Sequence, residues 1–189
     1  MAPVSASEIA KGPVFYMLHH PVLRETSSTS PLRVVFNASC NTNSGTSLNN
    51  QLLVGPKLQE DLSSILLRWR THRLVFIADI AKMYRQILVH PSDTDYQRIL
   101  WHPNAKLPIS HYRLFTVTYG IASAPYLAMR VLKQLCSDEG AKFPLAVHVL
   151  ENSTYVDDVL FGADKVSDIQ KIRNQLNNLL KLGGFHLRK

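Results

Sequence analysis

Cysteine is scarce in this chain: only Cys40 and Cys136 occur among 189 residues. Two thiols cannot build a disulfide framework, and neither stands at metal-ligand spacing from a second ligand, so a reduced, intracellular setting is expected. Long apolar runs are missing too, since none approaches the ~18–20 residues of a membrane span. Residues 1–11 lack the basic-then-apolar order of a signal peptide, which argues against secretion. Neither a GxSxG elbow nor a GxxxxGK[ST] phosphate loop occurs. Apart from the adjacent His19 and His20, the eight histidines are scattered without zinc-like spacing. Acidic residues are outnumbered, with 14 Asp and Glu against 21 Lys and Arg, so 21 − 14 gives +7 at pH 7.

What is present is ordinary globular material. Apolar residues make up 46% and charged residues 19%, which excludes a disordered tail, a collagen-like repeat and a coiled coil. The length suits one domain or slightly more. An isoelectric point near 9.5 fits a solvated basic surface and a nucleic-acid binder equally well.

Along the chain, residues 24–31 (RETSSTSP) are polar and suit a hairpin tip, while 38–55 are rich in Asn, Ser, Thr and Gly and read as an irregular connection. Between them LRVVF (32–36) reads as a strand. Leu58, Leu62, Ile65, Leu66 and Trp69 recur at helical spacing, with Pro56 near the first turn. LVFIA (74–78) predicts a short buried strand ending in Asp79, and 98–101 and 112–117 predict further strands. A helix is expected from Ser123 and Pro125, with Leu127, Val131, Leu132 and Leu135 on one face. Residues 150–155 lead into Val156-Asp157-Asp158 and the apolar 159–161, an apolar hairpin with acidic residues at its tip. In the last helix Ser167-x-x-Gln170 resembles a capping box, Ile169, Ile172, Leu176 and Leu179 form the stripe, and Gly183-Gly184 ends it. This order predicts an α+β domain, with helices packed on a mostly antiparallel sheet.

The candidate chemistry is carboxylate chemistry. Adjacent Asp157 and Asp158 cannot both ionise cheaply at close range without a cation nearby, although turns favour Asp for local reasons as well. Asp79 ends a buried apolar strand, where an unpaired carboxylate is costly; a helix N-cap role is an equally simple alternative. If that strand lay beside the hairpin, three carboxylates would converge, a hard-oxygen set suited to Mg²⁺. Two such ions about 3.5–4 Å apart can activate a hydroxyl and stabilise a leaving phosphate.

Taken together, five strings occur in order: Arg33-Val-Val-Phe-Asn37-Ala-Ser39, Asp79-x-x-x-Met83-Tyr84-Arg85-Gln86-Ile87, Tyr119-Gly120-x-x-x-Ala124-Pro125, Tyr155-Val-Asp-Asp158 and Gly184-Phe185-x-Leu187-x-Lys189. They resemble the successive motifs of a reverse transcriptase. The surrounding wording (YMLHHPV, SLNNQLLVGP, FIADIAKMYRQILVHPSD) is similar to the BEL/Pao class of LTR retrotransposon polyproteins. The resemblance runs from about Gly12 to the last residue and leaves 1–11 unassigned.

The resemblance implies a right-hand polymerase fold, with 12–73 mainly fingers and 74–189 mainly palm with finger insertions. It implies that Asp79, Asp157 and Asp158 hold two Mg²⁺ ions, with Mn²⁺ as a substitute, for transfer of a deoxynucleotide from a dNTP to a primer 3′-hydroxyl. Arg33 matches a fingers arginine that contacts the triphosphate, suited by its planar charged fork. Backbone amides around Lys82 and Met83 would cradle the triphosphate. Tyr84 matches an aromatic gate against the ribose 2′-OH. Gly120 matches a close backbone approach to the nucleotide, preceded by Tyr119 in the place where retroviral enzymes carry Gln. Lys189 matches a proposed general acid for the departing pyrophosphate.

Departures accompany the match. Asn37 stands where the family often has Asp, and Pro31 where a basic residue is usual. The motifs stop where a thumb would begin, so a fragment of a Pol polyprotein is expected, its partners being an RNA or DNA template with primer, dNTP, and the thumb, ribonuclease H and integrase of the same polyprotein. A cytoplasmic virus-like particle or the nucleus is the expected location, with no membrane partner. Two alternatives stay open: a catalytically silent transposon remnant that only binds nucleic acid, and another carboxylate-metal phosphotransferase such as a nuclease.

Overall fold

The computed structural model describes residues 1–23, 31–102, 104 and 106–188. Most of the expected hairpin tip (24–30) and Lys189 lie outside the described residues. In chain order the elements are β1 (Ala2–Pro3), α1 (Ala6–Ile9), β2 (Leu18–Leu23), β3 (Leu32–Asn37), α2 (Leu48–Gln51), α3 (Leu62–Arg70), β4 (Leu74–Ile80), β5 (Arg98–Trp101), β6 (Ser110–Arg113), α4 (Ala124–Glu139), α5 (Pro144–Asn152), β7 (Thr154–Tyr155), β8 (Asp158–Ala163), α6 (Val166–Leu182) and β9 (Leu187–Arg188). Three 3₁₀ segments, Met83–Gln86, Pro91–Gln97 and Gly140–Lys142, also occur among the described residues. Every strand pair among the described residues is antiparallel, and with the packed helices this makes a mixed α/β protein compatible with the expected α+β class. None of these helices is long and apolar enough to cross a membrane.

The chain divides into two compact units, residues 1–54 with 87–124, and residues 55–86 with 125–189. In the first unit, β2 and β3 pair over six residues from Leu18↔Asn37 to Leu23↔Leu32. Their apolar Leu18, Leu23, Leu32, Val34 and Val35 stay exposed. The second sheet runs β1-β6-β5. Of residues 1–11, which the sequence leaves without a role, Ala2 and Pro3 pair with Arg113 and Tyr112 of β6. The Val4 N–H donates to His111 O at 2.8 Å. Arg98 is fully buried; its Nε donates to Asp95 Oδ1 at 2.9 Å, and its two Nη atoms donate to the carbonyls of Glu8 (3.0 Å) and Ile9 (3.1 Å). Arg113 Nε adds a second bond to Asp95 Oδ1 at 2.6 Å. Burial pushes the Asp95 carboxyl up, but the two guanidinium hydrogen bonds outweigh it and hold the group below its ordinary value.

The second unit carries the sheet β7-β8-β4-β9. Helices α3, α5 and α6 all pack on β8, which explains three consecutive buried residues, Val159, Leu160 and Phe161. Ile169, Leu176, Leu179 and Leu180 of α6 and Ala146, Val149 and Leu150 of α5 complete this core. Each fully buried Leu, Ile or Phe contributes on the order of 1.5–3 kcal/mol. At the end of α6 the Gly184 N–H bonds Lys181 O and the Phe185 N–H bonds Leu180 O, with Gly184 at φ +76°. This is a Schellman cap, and glycine takes that φ without steric cost.

Several sequence expectations shift here. The helix expected from Leu58 begins at Leu62, because Asp61 takes the extended N-cap conformation and its carbonyl receives the Ile65 N–H at 3.1 Å. The 74–78 strand is not buried throughout: Val75 and Phe76 are 40% and 46% exposed. The strand expected over 112–117 spans Ser110–Arg113 instead, and Thr116 makes only an isolated bridge to Leu88. Residues 150–152 end α5 rather than leading a hairpin strand. Leu127 is exposed, the buried face of α4 being Ala128, Met129, Leu132, Leu135 and Cys136. The 167–170 capping box does not form: α6 starts at Val166 after Lys165, which puts Ser167 inside the first turn. The irregular stretch 38–55 includes the short α2, capped by Ser47 Oγ accepting the Asn50 N–H.

Candidate active site

Asp79 lies next to last in β4, directly opposite Asp158 at the start of β8. Residues opposite one another in an antiparallel pair project to the same face, so the two carboxylates share one end of the sheet. Tyr155 pairs with Asp158, leaving Val156 and Asp157 as a two-residue hairpin loop. Val156 sits at φ +56°. A β-branched residue in that region is a steric outlier and costs on the order of 1–3 kcal/mol. Two bonds hold the loop in it: the Val156 N–H donates to Gln59 Oε1 at 3.2 Å, and the Ile80 N–H donates to Asp157 O at 2.8 Å. The hairpin tip is thereby tied to the end of β4.

Burial pushes the Asp157 carboxyl above its ordinary value, and the like charges of Asp79 and Asp158 push it further, opposed by a hydrogen bond from its own backbone amide and, more weakly, by Arg188. Arg188 is the residue that motif reading missed. It stands opposite Asp79 across the β4–β9 ladder, and its Nε donates to Asp79 Oδ2 at 2.8 Å. A guanidinium is thus the cation that Asp79 holds. Among the described residues no group of three or more His, Cys, Asp or Glu side chains converges tightly enough to hold a metal ion. Asp79, Asp157 and Asp158 share one sheet end without forming a single ligating group. The signal for Arg188 was faint: an arginine one residue short of a motif lysine, placed only by the register of a two-residue strand.

Beyond β4 the chain turns at Lys82, the other non-glycine residue with positive φ among those described (φ +52°). The Arg85 N–H closes that turn onto Lys82 O at 2.9 Å. Lys82 is exposed, whereas Met83 and Tyr84 are buried at 1% and 7% exposure.

The remaining expected site residues belong to the first unit. Arg33 is exposed on β3, opposite Val22. Tyr119 is exposed, and Gly120 has φ +92° with the position of a Cβ only 2.3 Å from Phe36 O. No other residue could make that approach. Asn37 accepts the Ser39 N–H at 3.1 Å, a local turn bond that an Asp would also make. Lys189 is outside the described residues.

The chain is similar to the crystal structure of the prototype foamy virus protease-reverse transcriptase, with a TM-score of 0.65 and 15% identity over 91% of this chain and 20% of that one. The likeness is one of fold. The chain spans about a fifth of that viral protein's length. No protein-family model and no curated protein matches the sequence, so nothing here bears on the BEL/Pao class.

Proposed function

We propose that the chain is the fingers-and-palm region of an RNA-directed DNA polymerase, a piece of a Pol polyprotein of the BEL/Pao type. One observation carries this reading: Asp79 faces Asp158 across β4–β8, with Asp157 beside them on a strained two-residue hairpin. Strain of that kind persists where surrounding structure enforces it, and it concentrates at functional sites. The reverse-transcriptase-like fold supports the same reading.

The donor set suits a hard divalent cation, since three carboxylates supply only oxygen, and burial first, then repulsion from Asp79 and Asp158, raises the Asp157 carboxyl. Asp79, Asp157 and Asp158 would hold it once Arg188 leaves Asp79 and the three carboxylates draw together. Two Mg²⁺ ions, or Mn²⁺, would supply activation of the primer 3′-hydroxyl and neutralisation of the departing pyrophosphate. The chain's own groups do the positioning. The turn at Lys82 would present the Lys82 and Met83 amides to the triphosphate, and buried Tyr84 would limit space at the sugar. In this reading Arg33 and the Tyr119–Gly120 turn bind nucleotide, and Lys189 is the proton donor to pyrophosphate. A surplus of seven positive charges fits attraction to a primer–template backbone, which is independent of sequence and weakened by salt.

The test is primer extension on an RNA template with Mg²⁺ and dNTPs. Extension by the parent that Asp157→Asn lowers at least ~100-fold supports the reading; equal extension by both proteins refutes it. The Arg188–Asp79 ion pair favours a second reading, a silent remnant that binds nucleic acid only. Salt-dependent RNA binding without extension in Mg²⁺ or Mn²⁺ would select it.

A further inference from the structure

Asn49 is not among the motif residues, yet it joins two chain segments that are 71 to 73 residues apart. Its Nδ2 donates to Gly120 O at 2.9 Å and to Ser39 Oγ at 2.8 Å, while its Oδ1 accepts the Ala122 N–H at 2.8 Å. Its own N–H donates to Ala38 O at 3.1 Å. Both hydrogens and the oxygen of the amide are therefore used on one side chain. Only a carboxamide of this length offers two donors and an acceptor in that fork.

What the amide holds is the Tyr119–Gly120 turn. Gly120 already presses against β3 at Phe36 O, and that strand carries Arg33. Asn49 holds the same turn through the Gly120 carbonyl and the amide two residues on. It also grips Ala38 and Ser39, the residues that follow β3. The strand bearing Arg33 and the turn bearing Tyr119 and Gly120 are thus referenced to one side chain within one unit.

We infer that Asn49 is a positioning residue for nucleotide binding: it sets the height of the Tyr119–Gly120 turn against β3 so that the turn and Arg33 meet a deoxynucleoside triphosphate together. This rests on the polymerase reading above. Asn49 touches neither nucleotide nor metal and acts through the Gly120 carbonyl.

Two variants separate its contacts. Asn49→Asp keeps an acceptor for the Ala122 N–H but places a carboxylate against the Gly120 carbonyl, and Asn49→Ala removes every side-chain bond. Both are measured in steady-state primer extension with dTTP on a poly(rA) template, alongside amide hydrogen exchange of the folded proteins. In Asn49→Asp the Ala122 amide is expected to stay protected, and in Asn49→Ala to exchange roughly tenfold or more faster. The KM for dTTP is expected to rise about tenfold in both, with kcat within about threefold of the parent. A purely structural role would lower the active fraction, and so kcat, without moving KM. An unchanged dTTP KM in either folded variant overturns the inference and leaves the polymerase reading intact. A parent that extends no primer overturns both, and is recognised because no KM exists to compare.

Discussion

Arg188→Gln tests what the cation on Asp79 does. The guanidinium Nε lies 2.8 Å from Asp79 Oδ2, with side-chain exposures of 61% and 33%. An exposed pair of this kind contributes about 0–1 kcal/mol to the fold, so the variant should cost little stability. Its effect on a divalent ion is larger, for two reasons that act in the same direction. The ion must first displace Arg188, at a cost of roughly 0.2–1 kcal/mol. A guanidinium left about 4–8 Å away then repels each unit of the ion's charge by about 0.5–1 kcal/mol at water-like dielectric. Allowing for screening by salt, the sum is about 1–1.5 kcal/mol, or roughly five- to tenfold in affinity. Mn²⁺ binding followed by electron paramagnetic resonance at pH 7.5 and about 50 mM salt should therefore tighten by that factor in Arg188→Gln and be lost in Asp79→Asn. Raising the salt to about 0.5 M should shrink the gap, since the Debye length falls below the separation of the charges. An Mn²⁺ affinity in Arg188→Gln equal to or weaker than the parent's, with Asp79→Asn still abolishing binding, would refute the reasoning.

Other consequences are measurable without catalysis. Because the folded-state carboxyl of Asp157 is raised, the native chain binds more protons than the unfolded one just above the ordinary carboxylate value, so stability falls as pH rises from there through the raised value. Asp157→Asn should accordingly unfold at a higher temperature at pH 7, by about 1–3 °C, with the gain vanishing near pH 3; melts that differ equally at both pH values would contradict the stated cause. Arg98→Ala should destabilise the first unit by about 2–4 kcal/mol, because it strips a fully buried guanidinium from Asp95 and from the Glu8 and Ile9 carbonyls. Urea unfolding gives the size, and faster exchange of the Val4 amide, which bonds His111 O, reports release of the N-terminal segment.

How far the sequence could be read depended on whether a feature is local or set by register. The ends of apolar runs marked Asp79 and the Asp157-Asp158 pair, and the register then put Asp79 opposite Asp158. A helix stripe marked α6, because Ile169, Leu176 and Leu179 fall on one face of a single long element. The start of α3 was harder: Leu58 and Pro56 continue the helical spacing, yet the backbone is extended at Asp61 and the helix starts only after it. Helix α5 was hidden because its last residues, 150–152, run straight into the acidic hairpin and read as part of it. The N-terminal segment left no trace, since a two-residue β1 and an arginine bonding carbonyls some 90 residues away create no periodicity. Arg188 and Asn49 share that character. Each is an ordinary polar residue whose role exists only once distant segments meet.

The glycine cap on α6 carries a consequence for the carboxylate end of the sheet. It stops the helix at one residue and sends the chain through Phe185 and His186 straight into β9, so the helix end acts as a spacer that meters which side chain arrives opposite Asp79. Strand side chains alternate faces, and one residue inserted between Gly184 and Leu187 would bring Leu187 into line with Asp79 and turn Arg188 to the other side. The charge balance at Asp79 is therefore counted out from a turn more than a strand's length away, and the phase of that count is set by a backbone conformation that glycine adopts freely.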